Sequence, residues 1–350
     1  MPRDILRSGP LAIKLEKNHR KFCGGNNIER GNNMPKEQRK FADDGWAIWV
    51  DGDDTSTVYI NDWLNPRGKS YVDIALRILG VRVSKSINVY VPFRISKEEI
   101  EDVSLRFNDT RTLQATFSAA CIIDYMKNPH TSEIAYNGKT VDVVHISTFE
   151  YTVSPLAEGT LITLDLAGVQ EFLDNDEAYF LWRMPHKSLD AVFKPRMNVD
   201  NLLGRIRDLV TTPVVSEKYG YSVRVNEARL LPEQITRIGG FHRQKLKKAV
   251  ITISIDESYE LNDVGCYRIH RMEENLYDGY LPTGYDSRGV ITYHWYQSRE
   301  DNLKGQYNFY YSITKESVSR ASMFFYMLLL LSIALASEIL GAVITNLMGL

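Results

Sequence analysis

The longest uninterrupted apolar pattern lies at the C-terminal end of the chain. Residues 321–350 contain no Lys, Arg, Asp or His, and Glu338 is their only charged residue. A bilayer core about 30 Å thick is crossed by roughly 20 helical residues. Met323 to about Ile344 is therefore long enough for one span and too short for two. The pattern predicts a single C-terminal transmembrane helix.

Upstream of this helix, short runs of β-branched and aromatic residues alternate with turn signals. Asn137-Gly138 favours a tight hairpin turn, because the central positions of such a turn have positive φ. Residues 149–153 and 160–166 flank Pro155–Gly159 as another hairpin. Short strands at this spacing are typical of a β-sandwich and not of alternating βα units. The predicted fold is mainly β: one or two sandwich-like lobes with a small helical connector, followed by one C-terminal transmembrane α-helix.

Two further hairpins are predicted where strand-like runs are separated by turn residues. The first joins residues 46–50 to residues 57–63 through Asp51–Asp54, whose spacing does not match an EF-hand calcium loop. The second joins residues 290–297 to residues 306–313 and is rich in Tyr and Trp. Those aromatic side chains fit either packing in a sandwich core or contact with lipid headgroups.

Other segments carry helical signals. Ser96–Glu99 forms a capping box that predicts a helix to about Phe107, whereas residues 112–126 are interpreted as a strand. Apolar spacing predicts an amphipathic helix at residues 198–210. The chain therefore divides into five parts. These are a basic, poorly ordered arm (residues 1–42), a β-sandwich lobe (residues 43–195), a helical connector (residues 196–245), a second β portion with the aromatic hairpin (residues 246–316), and the anchor (residues 317–350).

Small residues recur along one face of the predicted anchor. Ser337, Gly341, Thr345 and Gly349 are spaced by four residues, which places them on one helix stripe where two helices can approach closely. Glu338 lies beside the stripe, where a carboxylate in lipid is costly unless it faces another helix or water. Three interpretations stay open: a plain anchor with Glu338 near the far headgroups, self-association of anchors, and an oligomeric pore lined by Glu338, Ser337 and Thr345.

Charge next to the span predicts the orientation of the chain. Lys304, Lys315 and Arg320 precede the span and no Lys or Arg follows it, which places the N-terminal body in the cytoplasm. Residues 1–20 contain no apolar run of the kind found in a signal peptide. The three cysteines are widely spaced and form neither a disulfide framework nor a zinc pattern, as expected in a reducing compartment.

Composition adds little about partners. The chain is 44% apolar and 25% charged, which is ordinary for a folded protein, and its net charge is −2. The basic residues concentrated in residues 1–42 form either a solvated tail or a segment attracted to anionic lipid or nucleic acid. The expected partners are the lipid bilayer, further copies of the chain, and an unknown ligand or protein partner. Nucleic acid is not expected.

Two groups of residues are candidate contact surfaces. Residues just before the span are candidates for the membrane interface, which Tyr and basic residues favour: Tyr310, Tyr311, Lys315 and Arg320. A second, basic group is either a solvated edge or a contact for an anionic ligand: Arg237, His242, Arg243, Lys245, Lys247 and Lys248.

The sequence contains no specific catalytic, cofactor or metal motif. It lacks a phosphate-binding glycine loop, a dinucleotide fingerprint, a metalloprotease HExxH and a serine-hydrolase elbow. The main expectation is a non-enzymatic protein whose β body binds a ligand or partner and controls association of the anchors. In one version, assembly of the anchors permeabilises the membrane, as a toxic or immune effector would. The alternatives are a passive membrane-tethered binding module or assembly subunit, and a membrane-bound hydrolase using His145, His186 or His294 with acidic residues.

Overall fold

The computed structural model describes residues 40–52, 56–107, 109–117, 121–136, 138–193, 214–241, 246–262, 266–298, 305–318 and 320–348. Within these residues the chain is mainly β, with seventeen strands in two sheets. The same residues include five α-helices: α1 (Thr110–Phe117), α2 (Ala167–Gln170), α3 (Lys187–Phe193), α4 (Glu233–Thr236) and α5 (Arg320–Met348).

The smaller sheet has seven described strands. Most neighbours are antiparallel, but the strand Lys40–Asp51 pairs in parallel with the strand Val214–Val225. Their order across the sheet is β14 (Glu260–Asn262), β17 (Tyr307–Val318), β12 (Val214–Val225), β1 (Lys40–Asp51), β4 (Ser86–Val91), β10 (Thr160–Asp165) and β9 (Tyr151–Pro155).

The larger sheet has ten described strands. Nine of them follow one path: β15 (Arg268–Arg271), β16 (Val290–Ser298), β13 (Lys248–Asp256), β2 (Thr57–Leu64), β3 (Tyr71–Leu79), β11 (Glu177–Pro185), β8 (Lys139–Val144), β7 (Thr131–Tyr136) and β6 (Cys121–Asn128). The tenth, β5 (Glu101–Asp102), pairs with β11 beside this path.

The two sheets pack face to face around one hydrophobic core. Ile48 and Val89 of the smaller sheet and Ile60, Ile74 and Ile253 of the larger sheet belong to the same buried cluster. Side chains alternate between the two faces of a strand, so strands such as β2 and β3 contribute every second residue to this core. The predicted β-sandwich is therefore confirmed. Each sheet combines strands from residues 43–195 with strands from residues 246–316, and the two predicted β portions build one sandwich together.

The outer faces of both sheets are also covered. On the larger sheet, Trp63 and Leu181 pack with Phe107, Met272 and Tyr280 in a second buried cluster. On the smaller sheet, a third cluster brings α4 and nearby residues onto the strand β1, through Trp49, Ile235 and Phe241 among others. Cover on both faces explains why β1 has the continuous apolar run Trp46–Val50 and not an alternating one.

Several local predictions are confirmed. The turn at Gly138, where φ is 73°, joins β7 to β8 as an antiparallel hairpin. Strands β9 and β10 form the second hairpin predicted around Pro155–Gly159. The C-terminal helix α5 contains an apolar segment, Met323–Ile344, that is long enough to cross a membrane. The predicted helix at residues 198–210 lies outside the described residues.

The other two predicted hairpins are wrong. Strand β1 lies in the smaller sheet and β2 in the larger one, and β16 and β17 are divided between the sheets in the same way. In both cases the two strands lie in different sheets and do not pair with each other. A turn signal shows that the chain reverses direction, but it does not show whether the two strands then pair with each other.

The helix signals near residue 100 likewise described only the residues next to them. The capping box of Ser96 and Glu99 is present, but only short 3₁₀ turns and β5 follow it, so the continuous helix predicted to Phe107 is wrong. The interval 112–126 begins in α1 and becomes strand only at Cys121. Within the predicted helical connector 196–245, the structure has the twelve-residue strand β12, which lies between β17 and β1 in the smaller sheet.

Candidate functional site

A row of polar side chains crosses the outer face of the larger sheet. Its members are directly opposite one another on adjacent strands: Arg268, His294, Thr252, Asn61, Asp73 and Arg183. Residues opposite each other on one sheet face are about 5 Å apart, so the row is continuous. Sheet faces normally contribute apolar side chains where another layer packs on them. A polar row beneath a cover is therefore a candidate binding surface.

The next row adds further polar groups beside the first. His270, Thr292 and Ser254 are in register on β15, β16 and β13. The rings of His270 and His294 are stacked, with centroids 4.9 Å apart and planes 7° apart. The Nδ1 atom of His294 lies 3.1 Å from Oγ1 of Thr252, and the hydroxyls of Ser254 and Thr292 are 3.2 Å apart. These contacts hold the side chains in one arrangement.

Apart from Arg268 and Arg183, these side chains form the floor of a cleft of about 140 Å³. Thr116 of α1 and residues 272–280 lie on its cover side, and Tyr59 and Tyr179 line it from the sheet. The rings of Tyr59 and Tyr179 are 6.3 Å apart and tilted. The cleft, named here the outer cleft, thus has a polar floor and aromatic walls.

Two atoms of the floor have no hydrogen-bond partner within the described part of the chain. They are Oδ1 of Asn61 and Nδ1 of His270, and both are buried. More than nine in ten buried polar groups in proteins are hydrogen-bonded. Unmet hydrogen-bonding capacity at two positions of one cleft, one on β2 and one on β15, is the geometry expected of a site that binds a polar ligand.

The outer cleft is electrically neutral near neutral pH. Burial, together with the nearby His270 and Arg268, lowers the pKa of His294 to about 4. Burial and Arg268 lower the pKa of His270 as well. Both imidazoles are therefore uncharged at pH 7. Among the described residues that line the cleft, none is Lys or Arg.

Among the described residues that line the outer cleft, Asp73 has the carboxylate, and neighbouring side chains donate hydrogen bonds to both of its oxygens. Arg183 donates to Asp73 through Nε at 2.6 Å and Nη2 at 2.8 Å. Trp63 Nε1 and the Tyr280 hydroxyl each donate to Oδ2 of Asp73 at 2.8 Å. Arg183 also donates to the carbonyl of Tyr280. Asp73 therefore fastens the cover to the sheet and is not placed as a free catalytic base.

A second polar cluster lies between the two sheets. The Tyr221 hydroxyl donates to Oδ2 of Asp44 at 2.6 Å and lies 3.1 Å from Nε2 of His186. The Tyr311 hydroxyl donates to Oδ2 of Asp62 at 3.3 Å, and Asp62 Oδ1 lies 3.6 Å from His186. Burial raises the pKa of Asp62 to about 8 and lowers that of His186 to about 3. Near pH 7 the Asp62–His186 contact is therefore between two neutral groups.

Asp62 gives the β body a measurable pH dependence. Because its folded pKa of about 8 exceeds the ordinary value of 3.8, the folded state keeps a proton that the unfolded state loses. The contribution of Asp62 to the free energy of unfolding is fully present below about pH 4 and falls as pH rises to about 8. We expect Asp62→Asn to melt higher than wild type at pH 8, with a difference that shrinks towards pH 5.

Thermal unfolding followed by tryptophan fluorescence at several pH values measures this difference. The control is Glu150→Gln, because Glu150 is exposed and its substitution should give a small difference that changes little with pH. A difference in melting temperature between wild type and Asp62→Asn that is constant with pH would contradict the protonation of Asp62 in the folded state.

The candidate membrane-interface residues have different environments. Tyr310 is 51% exposed, whereas Tyr311 is 1% exposed and lies in the core cluster described above. The prediction for Tyr311 is corrected accordingly, since a side chain buried between the sheets does not reach lipid. The ammonium group of Lys315 lies 5.1 Å from the ring centroid of Tyr259. Arg320 is the first residue of α5.

The candidate basic group is described only in part. Arg237 forms an exposed ion pair with Glu233, and the Lys248 ammonium lies 4.7 Å from the ring centroid of Tyr296. Lys247 donates its backbone N–H to Ser56. His242, Arg243 and Lys245 lie outside the described residues. Contact with an anionic ligand stays a prediction.

The three histidines considered for a hydrolase have different partners. His145 contacts the hydroxyl of Ser132 at 2.8 Å, His186 lies between the sheets, and His294 lies in the outer cleft. In the described ranges, no group of three or more His, Cys, Asp or Glu residues is arranged to hold a metal ion. His270, Asn61 and Ser254 were not selected from the sequence.

A signal for the outer cleft was nevertheless present in the sequence. In three separate strand-like segments, polar residues recur at every second position: Thr252 and Ser254, Arg268 and His270, Thr292 and His294. Such alternation places each pair on one sheet face. What the sequence does not show is that the three segments are adjacent strands.

On the anchor, the described part of α5 carries Ser337, Glu338 and Gly341, and its backbone continues through Thr345. Gly349 lies outside the described residues. Residues 323–344 make up a segment of high mean hydropathy that is not buried against the body. An added Cβ at Gly341 would meet no atom within 4 Å.

Comparisons with protein-family models and with curated proteins find no match to this chain.

Proposed function

We propose that this chain is a single-pass membrane protein, anchored through α5, whose cytoplasmic β body binds a ligand in the outer cleft and controls association of the anchors. One observation carries the proposal. Only Ser319 separates the last sandwich strand, β17, from a long apolar helix that is not buried against the body. This short connection supports direct coupling of the proposed ligand-binding body to the proposed membrane helix.

The length of α5 supports its role as an anchor. Its 29 residues correspond to about 43 Å at 1.5 Å per residue, enough for the hydrocarbon core and part of both headgroup layers. Arg320 opens the helix at the end where Lys304 and Lys315 also lie in sequence. By the positive-inside rule this end faces the cytoplasm.

Protease accessibility in sealed membrane vesicles tests the anchoring and the orientation together. We expect carbonate washing to leave the chain in the membrane, and protease added from the cytoplasmic side to digest the β body. Release of the intact chain by carbonate would contradict the anchor. Protection of the β body from cytoplasmic protease would contradict the orientation and leave the anchor in place.

Association of the anchors is proposed to use the small-residue stripe. Gly341→Leu adds bulk where close approach of two helices is needed, so we expect a several-fold loss of cross-linked dimer in membranes. Ala342→Leu adds bulk one residue away from the stripe and is the matched control. In the pore version of this proposal, liposomes containing the protein also leak, and Glu338→Leu abolishes the leak.

Equal cross-linking of wild type and Gly341→Leu would favour the alternative function, a passive tether for a binding module. Ligand control of assembly further requires that the ligand prefer the assembled state, because equal affinity for both states shifts nothing. Addition of the ligand should therefore increase cross-linking in wild type but not in Gly341→Leu.

A further inference from the structure

We propose that the outer cleft binds a neutral carbohydrate, with one sugar ring seated between the polar floor and the tyrosine walls. The inference deepens the proposed function, because it names the chemical class of the ligand whose site is the outer cleft. It does not depend on the anchor.

Size and charge limit the ligand. The volume of about 140 Å³ is far above the about 10–15 Å³ that one water requires, which leaves room for a single ring with its substituents reaching the opening. The histidines are neutral and Asp73 is paired with Arg183, so the described lining offers no net charge to a ligand. A phosphate or carboxylate group would find no cation among these lining residues.

The hydrogen-bonding groups of the cleft match hydroxyls. Eight of its sixteen lining residues carry a hydroxyl group: Tyr59, Thr116, Tyr179, Thr252, Ser254, Tyr277, Tyr280 and Thr292. A hydroxyl both donates and accepts, as do the side chains of Asn61 and His270. Sugar hydroxyls have the same double character. A nucleobase needs an ordered pattern of donors and acceptors, for which amide side chains are suited, and Asn61 is the single amide in the described lining.

The aromatic side chains of the outer cleft suit the apolar faces of a sugar ring. A pyranose has polar groups around its edge and C–H groups on its faces. Aromatic side chains bury such apolar faces while a Tyr hydroxyl or Trp N–H stays hydrogen-bonded. Tyr59, Tyr179 and Tyr277 line the outer cleft together with Trp63, and Tyr280 is held in place by Asp73 and Arg183. Tyr280 is thus positioned before a ligand binds, which lowers the entropic cost of binding.

Binding of sugars to the full chain tests the inference. The chain is solubilised in a detergent without a sugar headgroup, because alkyl glycosides would compete for the site. Glucose, galactose, mannose, N-acetylglucosamine and ribose are titrated separately, with adenosine, guanosine and uridine as the second arm. Saturation-transfer NMR and the quenching of tryptophan fluorescence report binding. We expect at least one sugar to bind saturably and no nucleoside to compete with it.

Two variants locate the binding in the outer cleft. Asn61→Leu removes the buried amide and His270→Phe keeps the ring stack without its nitrogens, so each should weaken sugar binding about tenfold. His130→Phe is the matched control, because His130 is likewise packed on an aromatic ring, Phe172, but does not line the cleft. Circular dichroism confirms that each variant folds, and two independent positions keep the test decisive if one does not.

The carbohydrate inference is overturned if no sugar binds, or if sugar binding is equal in wild type and in both folded cleft variants. Saturable nucleoside binding that the cleft variants weaken also overturns it, but leaves the proposed ligand-binding function in place. Loss of membrane anchoring in the protease experiment has no bearing on either sugar result.

Discussion

Replacing Asp73 with Leu is expected to lower the free energy of unfolding of the β body by about 3–5 kcal/mol. The substitution leaves the guanidinium of Arg183 buried without its anion, and breaking such a pair is costly for that reason. Arg183 is 1% exposed and Asp73 2% exposed. The variant also leaves the Trp63 N–H and the Tyr280 hydroxyl without their acceptor. Urea unfolding followed by tryptophan fluorescence measures the loss.

A second variant separates the buried charge from the lost packing. Asp73→Leu combined with Arg183→Met removes both charges, and replacement of a whole buried ion pair by apolar residues is often close to neutral. We therefore expect the double variant to recover a large part of the stability. Glu233→Leu, which breaks the exposed pair with Arg237, should change stability by less than about 1 kcal/mol. If Asp73→Leu alone lowers the free energy of unfolding by less than about 1 kcal/mol, the burial of Arg183 does not depend on its ion pair with Asp73.

Arginines at Leu331 and Ala334 are expected to remove the chain from the membrane. Both residues lie near the middle of Met323–Ile344, where an insertion scale assigns each Arg a cost of about 2.5–3.5 kcal/mol. The two substitutions together should offset much of the apolar stabilisation of the span. Carbonate extraction of cell membranes measures the membrane-bound fraction, which we expect to fall from nearly all of the chain to a minor part.

The matched control for the anchor changes the same two positions to apolar residues. Leu331→Ile with Ala334→Val should leave the membrane-bound fraction unchanged, because hydrophobicity is preserved. Retention of the double-arginine variant in the membrane would show that the β body holds the chain there by another surface, and would remove the basis for α5 as the anchor.

Predictions from the sequence were accurate where the signal was local and the local geometry admitted one outcome. The turn at Gly138 needs positive φ, and a two-residue loop leaves its flanking strands little choice but to pair. The segment Met323–Ile344 has Glu338 as its only charged residue, and an apolar run of this length suits lipid whatever the rest of the chain does. Both predictions are confirmed because neither depends on a distant residue.

Predictions that required a distant partner were less accurate. Residues 46–63 and 290–313 contain strands separated by turn residues, as two hairpins would, but in each case the two strands lie in different sheets. Strand β12 lies in an interval interpreted as a helical connector, and its partners β1 and β17 are far away in sequence. Cross-strand packing decides β structure more than intrinsic preference does, and packing partners are not visible in a local window.

The sequence by itself determined that this chain has a mainly β body and one apolar C-terminal helix, because residue alternation and the length of an apolar run are local properties. Only the tertiary structure decided that Asn61, Thr252, His270 and His294 share one cleft, since sheet register places Asn61 in one sheet with strands that follow it by about 190 to 230 residues. It also decided that Tyr311 faces a buried carboxylate and not lipid. Burial follows from which strands become neighbours, and that is a property of the whole fold.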